Sequence, residues 1–473
     1  MKRHQVGFPA RGQALILGLA FLFLSAVVMF YAFNSGQAVT EKIRLTNAAD
    51  AAAYSAATLE ARALNYDAYV NRTMVANEIA IAQVVSFVSW AHYSATLVEN
   101  AGALDDVAGS WIFNPGDYTE LAQLMAVITG TAYLNAYTGG EGTETFLNYV
   151  DTLLPSLITA HDTAVRALSA SQTVLHASLL LGISQRSLAD EIVKKIDPAM
   201  AAEVVLTSYD FDRFTKAYGK SGSTGDERGR FAEVTTASRD RFTRERVWTL
   251  SGPTIWPLQK DVALKRRGGT DLVGYDEWRA MDTLEHHGQR LGCGKFGLDW
   301  CGDVQQSISW GAAQVNALGA DQGHGYHGGS YAENSRTSKK RADPAMVDLT
   351  ASGGAVFSGL PTSRDLADLA ADGSQRTGIT IRVTKPRSVT RTSGGASIIQ
   401  PGGDLAQFGA DAPGSVLAAL SRAEVFFDRP VARSDGRQEL ASLYNPYWQV
   451  RLVAPTAGDK AYAAAWQKGL ALP

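Results

Sequence analysis

ALILGLAFLFLSAVVMFYAF, residues 14–33, runs for twenty positions with no charged side chain and a single serine. As a helix rising 1.5 Å per residue it would reach about 30 Å, the thickness of the hydrocarbon core of a bilayer. The apolar core of a secretory signal is only about 7–15 residues long and ends at a small-residue cleavage motif. This stretch is longer and no such motif follows it, so it reads as a retained membrane span. Lys2, Arg3 and Arg11 precede it, and the positive-inside rule keeps that basic end in the cytoplasm. No later run is as long and as apolar. The expectation is one anchor, with everything beyond about residue 36 outside the cytoplasmic membrane.

The rest of the composition fits that picture. At 473 residues the chain has room for two or three domains. A mean hydropathy of -0.09 rules out a multi-span protein. A net charge of -3 and a pI near 6.3 leave no electrostatic footprint for nucleic acid.

C-terminal to the span, residues 37–93 contain neither glycine nor proline and are rich in good helix formers. The span is therefore expected to continue, with a kink at Gly36, into a long helical stalk. Glu41 and Arg44, three residues apart, are placed to pair on its surface. Within the stalk, NAADAAAYSAATLEARALN (residues 47–65) presents a face of small side chains. Asn47, Ala48, Ala49, Asp50, Ala52, Ala53 and Ala56 are the candidate helix-packing residues. Such a face buries little area but lets another helix approach closely. The same alanines could equally fill a helix packed on the protein's own domain, and the sequence leaves both readings open.

Composition divides the chain into a basic cytoplasmic leader (1–12), a transmembrane helix (13–35), a helical region (36–218), a polar linker (219–230) and a glycine-rich α+β domain (231–473) with antiparallel sheet. Helices are expected at 118–137, 144–180, with a break at Pro155, and 198–218. Strands are expected at 246–250, 261–265, 378–384, 396–400, 422–427 and 447–453. Short helices are expected at 365–371, 414–421 and 460–468. The linker reading rests on GKSGSTGDERGR (residues 219–230), which is polar and glycine-rich.

Few motifs carry chemistry. Cys293 and Cys301 flank a short glycine-bearing loop, and an oxidising compartment favours a disulfide between them. His286, His287, His324 and His327 lie near, but neither their spacing nor that of the cysteines follows a zinc pattern. Gly219-Lys220-Ser221 lacks the earlier glycine of a phosphate-binding loop. No hydrolase motif is present, so the chain is read as a non-enzyme with no cofactor. Tyr444, Tyr447 and Trp448, with Trp248, Trp256, Trp278, Trp300 and Trp310, serve either as core or as an aromatic contact surface.

The order of these features resembles a known family. A short basic leader, RGQALIL (residues 11–17), an apolar span and then Leu45 with NAADAAAYSAA (residues 47–57) resembles the N-terminal segment of the Flp/Tad (tight adherence) pilus-assembly family, TadE/TadG-like. SLYNPYWQVRLV (residues 442–453) is similar to the tail of the longer TadG-type members. The resemblance implies a minor-pilin-like or assembly protein of a bacterial pilus, anchored in the inner membrane with its bulk periplasmic. Its partners would be other pilus components, met through the transmembrane and alanine-rich helix, and the lipid bilayer. Prepilins carry a glycine before the cleaved bond and a glutamate five residues into the mature chain. Gly12 and Gln13 mark the possible bond here, but the fifth residue is Leu17, so a retained leader is expected. The Asp-x-Ser-x-Ser metal motif of some TadG-like proteins is not matched, because Asp372-Gly373-Ser374 continues with Gln375-Arg376. The alternative reading is an anchored sensor or ligand-binding protein, disfavoured because residues 1–12 leave no room for a signalling domain. An anchored hydrolase is a third, with no motif behind it.

Overall fold

The computed structural model describes residues 13–100, 141–179, 182–205, 211–221, 225–252, 260–289, 291–293, 299–300, 304–317, 331–351, 354–367, 375–386 and 416–467, with 126, 129, 130 and 389 besides. The helix expected at 118–137 and the strand expected at 396–400 lie essentially outside these residues.

Helix α1 (Gln13–Glu99) is a single element of 87 residues and passes through Gly36 without a break. Its serines and threonines are weak helix formers, yet several turn their hydroxyls back onto the carbonyl four residues earlier, as Thr40, Thr46, Thr58, Thr73 and Ser86 do. Two further long helices follow, α2 (Gly142–Leu179), which runs through Pro155, and α3 (Ile183–Ile196). The strands of the two larger sheets are β1 (Ala201–Val204), β2 (Trp248–Ser251), β3 (Lys260–Val273), β4 (Glu277–Gln289), β5 (Val304–Asn316), β6 (Val347–Asp348), β7 (Arg376–Pro386), β8 (Val416–Phe427) and β9 (Trp448–Val453). Helix α4 (Gly229–Ala237) precedes β2, and α5 (Ala457–Gln467) follows β9. The α+β class is as the sequence led us to expect.

The chain forms two compact units, and each takes in separate pieces of sequence. Unit 1 is Met1–Tyr66, Leu175–Lys216 and Leu366–Pro473; unit 2 is Asp67–Val174 and Ala217–Asp365. This differs from a helical half followed by a sheet half. Helix α1 contributes to both cores, and β1 lies in what read as helical sequence.

In unit 1, four antiparallel strands lie in the order β1-β7-β8-β9. Period-two alternation gives this sheet two different faces. Ile379, Ile381 and Val383 of β7, with Ala419, Ala423 and Val425 of β8, are buried on one face against α1. The other face carries Arg422, bonded to Asp459 of α5 at 3.3 Å, and Arg382, stacked 5.1 Å over the Trp466 ring.

In unit 2, five strands lie in the order β6-β5-β4-β3-β2, antiparallel except for the β5–β6 pair. The last third of α1 lies on this sheet. Ser86 bonds Thr270 at 2.6 Å, Ser89 bonds Asp282 at 2.9 Å, and Thr96 bonds the Trp310 carbonyl at 2.7 Å. Gly311 makes the closest approach possible, since a Cβ there would overlap the Ser89 carbonyl oxygen and the Tyr93 nitrogen.

Several local expectations are corrected. Residues 198–218 hold β1, a one-turn helix (Phe211–Phe214) and a strand (Thr215–Tyr218) rather than one helix. Pro198 sits in the turn that closes α3, where the Met200 nitrogen bonds the Asp197 carbonyl at 2.9 Å. Of residues 414–421, expected to be helical, those from Val416 onward form the start of β8, whose small side chains face α1. The helix expected at 365–371 begins instead as strand, Ser363–Leu366, and the rest of it lies outside the described residues. The stretch read as a linker folds. Lys220–Ser221 pairs with Gly225–Asp226, and Arg228 is buried between Asp226 and Asp276 at 2.6 and 2.7 Å. Arg228 and its two carboxylates satisfy one another, while Lys220, Ser221, Gly225 and Glu227 are exposed.

Candidate membrane-anchoring and assembly helix

Helix α1 has three successive characters along its length. In its first part, Leu15, Ile16, Leu17, Leu19, Phe21, Leu22, Phe23, Leu24, Val28 and Met29 are all exposed, at more than half of their surface. Among the described residues, none covers them. An exposed apolar surface of this size on a helix long and apolar enough to cross a bilayer has lipid as its natural solvent. Gln13 begins the helix; Gly12 lies outside the described residues.

From Glu41 the helix gains a buried side. Leu45, Ala48, Ala49, Ala52, Ala53, Ala56 and Ala57 have no exposed surface, and they recur at the three- and four-residue steps that keep one face of a helix inward. They pack into the unit 1 core with Ile379, Ile381, Ala419 and Ala423. Asn47 on this segment is exposed and Asp50 is half-buried. The reason for so much alanine is therefore close approach to a sheet. Alanines on the helix meet alanines and β-branched residues on the strands, and the two backbones come near. Of the two readings left open by the sequence, packing on the protein's own domain is the one the structure bears out. This face has no room for another helix. Ala53→Leu adds bulk to a filled core and is expected to destabilise unit 1 by about 1–3 kcal/mol, measured as a lower midpoint of denaturant unfolding.

A buried polar cluster closes the N-terminal end of the alanine face. Lys385 at the end of β7 is 5% exposed and donates to Glu41 Oε2 at 2.7 Å and to Asp197 Oδ2 at 2.8 Å. Burial alone would lower the Lys385 ammonium, but the Asp197 and Glu41 carboxylates more than offset it and hold its pKa above the usual lysine range. Glu41 thus reaches across to the sheet rather than to Arg44, which instead bonds the Ile196 carbonyl at 2.9 Å. Sequence spacing could not find this partner, which lies 344 positions away. Further along, Asn65 bonds both the nitrogen and the carbonyl of Trp448 at 3.0 Å, so α1 caps the edge strand β9.

The other singled-out residues fall in different places. The side chains of Cys293 and Cys301 lie outside the described residues, as do His324 and His327. His287 is buried on β4, 3.2 Å from Glu285. Trp278 and Trp448 are core residues, with Trp278 Nε1 donating to Glu78 at 3.2 Å. No group of three or more metal-binding side chains is found among the described residues.

With this geometry in view, the comparisons with known proteins are specific. Residues 12–59 match the putative Flp pilus-assembly TadE/G-like family. The match begins at the leader, takes in the whole apolar stretch and ends inside the alanine face, so it covers the parts of α1 described above. No curated protein and no solved structure matches the chain. The resemblance read from RGQALIL and NAADAAAYSAA is thus shown for this TadE/G-like segment, and the remainder of the chain lies outside it.

Proposed function

We propose that this chain is a membrane-anchored assembly component of a Tad/Flp-type pilus, structural rather than catalytic. Its N-terminus lies in the cytoplasm and both compact units lie on the periplasmic side of the inner membrane. The observation that carries this reading is the TadE/G-like match over residues 12–59 together with the uncovered apolar surface of α1. Contact with pilin-like helices runs through the lipid-embedded stretch 14–33, where close van der Waals packing rather than hydrophobic transfer drives association. The alanine face takes no part in it, being filled by the protein's own sheet. A retained leader makes the protein a fixed member of the assembly machine rather than a subunit released into the fibre.

The test is genetic. In a bacterium that builds Tad pili with this protein, deletion of the chain is expected to abolish surface pili, and the full chain to restore them. A chain carrying Leu22→Arg and Phe23→Arg is expected to fail. Normal piliation in the deletion strain would contradict the proposal.

A further inference from the structure

In unit 2, Arg228, Arg230, Arg239, Arg246, Arg266 and Arg279 each lie within 3.2 Å of a carboxylate oxygen. Arg336, Lys339, Lys340 and Arg341 differ. All four are exposed, and none of them meets a carboxylate among the described residues. They crowd one short piece of helix. The turn Ser335–Thr337 continues as a π-helical turn, Ser338–Ala342, closed by the Asp343 nitrogen on the Ser338 carbonyl at 2.9 Å.

Like charges three and four residues apart destabilise a helix, and so short a run has little stability of its own. The sheet holds it instead. Thr337 donates to Glu285 of β4 through its hydroxyl at 2.6 Å and through its nitrogen at 3.2 Å. Ala342 packs with Met281 of β4 and Ala312 of β5. Arg341 lies 5.2 Å over the ring of Trp310 on β5, which sets its direction as well. Four cations are thereby held side by side against their own repulsion, a platform already formed for negative charge.

We propose that this turn docks an acidic segment of a partner protein. Glu333 and Asp343, both exposed, flank the four cations in sequence. A polymer of uniform negative charge, such as a chain of phosphates, meets repulsion from both. A protein segment can place its carboxylates opposite the cations alone. Trp310, Tyr331 and Met346, half-buried around Ala342, add apolar surface that a peptide can cover and a phosphate chain cannot use. The guanidinium forks of Arg336 and Arg341 match carboxylates in two-bond geometry, and the two lysines add charge without a fixed direction. The inference stands apart from the pilus reading, because it rests on unit 2 alone.

The test titrates the full chain, in detergent, into a fluorescently labelled peptide of alternating Glu and Ala. The peptide is expected to bind, less tightly as salt is raised, and its Gln counterpart not to bind. Lys339→Glu combined with Lys340→Glu should weaken binding at least tenfold and leave the unfolding midpoint unchanged, since both side chains are exposed. Lys194→Glu combined with Lys195→Glu, on α3 and already paired with Asp190 and Glu191, should leave binding as it is. Polyphosphate of equal charge should bind less tightly than the peptide. No binding of the peptide, binding undiminished by the change at 339 and 340, or an equal loss from the change at 194 and 195 would each overturn the proposal. Tighter binding of polyphosphate would overturn it too, and assign the turn to a phosphate polymer.

Discussion

Asp282→Ala is expected to destabilise unit 2 by about 3–5 kcal/mol, because it leaves two guanidinium groups buried without their counter-charge. The Asp282 side chain is fully buried at the centre of β4. Arg246 grips it with both arms, at 2.8 and 2.9 Å, Arg266 donates at 3.1 Å, and Ser89 of α1 adds a fourth bond at 2.9 Å. Burial alone would raise the pKa of this carboxyl, but Arg246 and Arg266 override it and hold the pKa below the ordinary carboxylate range. Arg266 also lies 4.7 Å over the Tyr93 ring, so the cluster links the sheet to α1 through two different contacts. Loss of the carboxylate should lower the midpoint of denaturant unfolding followed by tryptophan fluorescence, since Trp278 is buried in the same unit. A change below about 1 kcal/mol, the size expected of an exposed ion pair, would mean that the cluster is hydrated and does not hold unit 2 together.

The second large effect depends on pH. Glu60 on α1 is fully buried, and one of its oxygens accepts a bond from Gln185 at 3.3 Å while the other has no partner among the described residues. Burial pushes its pKa from 4.5 up to about 8, with the Gln185 bond opposing only in part. The folded state therefore binds a proton that the unfolded chain gives up near pH 4.5. Stability falls as pH rises between those two values and levels off above the higher one. Near pH 7 the cost is on the order of 3 kcal/mol. Glu60→Gln keeps the Gln185 bond and removes the titration. The variant should match the unaltered protein at pH 5 and exceed it increasingly up to pH 8. Parallel stability profiles across that range would mean that Glu60 is ionised and hydrated in the fold. Glu78, likewise pushed up to about 8 by burial and bonded by Trp278, acts in the same direction in unit 2.

What the sequence revealed and concealed follows from these residues. The apolar stretch 14–33 needs no partner to be recognised, because its surroundings are lipid and its pattern is uniform. The strands at 378–384 and 422–427 were legible because one face meets the apolar α1 core and the other the polar side of α5, giving clean alternation. Strands β4 and β5, the middle of the unit 2 sheet, gave no such signal. EWRAMDTLEHHGQ is buried along almost its whole length, and Asp282 and Glu285 are satisfied by partners farther away in sequence. A strand covered on both faces and studded with internally paired charges shows neither alternation nor an apolar run. The alanines were ambiguous for a similar reason. A small-residue face says that something approaches closely, and only the register of β7 and β8 says that it is the chain's own sheet. Lys385 and Glu41 could not be joined by any local rule.

In the proposed arrangement, residues 14–33 anchor this protein in the inner membrane with both units on the periplasmic side. Alkaline carbonate washing of membranes, followed by external protease on spheroplasts, tests it most directly. The chain is expected to stay in the membrane pellet, and the protease to remove everything C-terminal to the span. Release by carbonate, or full protection of both units from the protease, would contradict it.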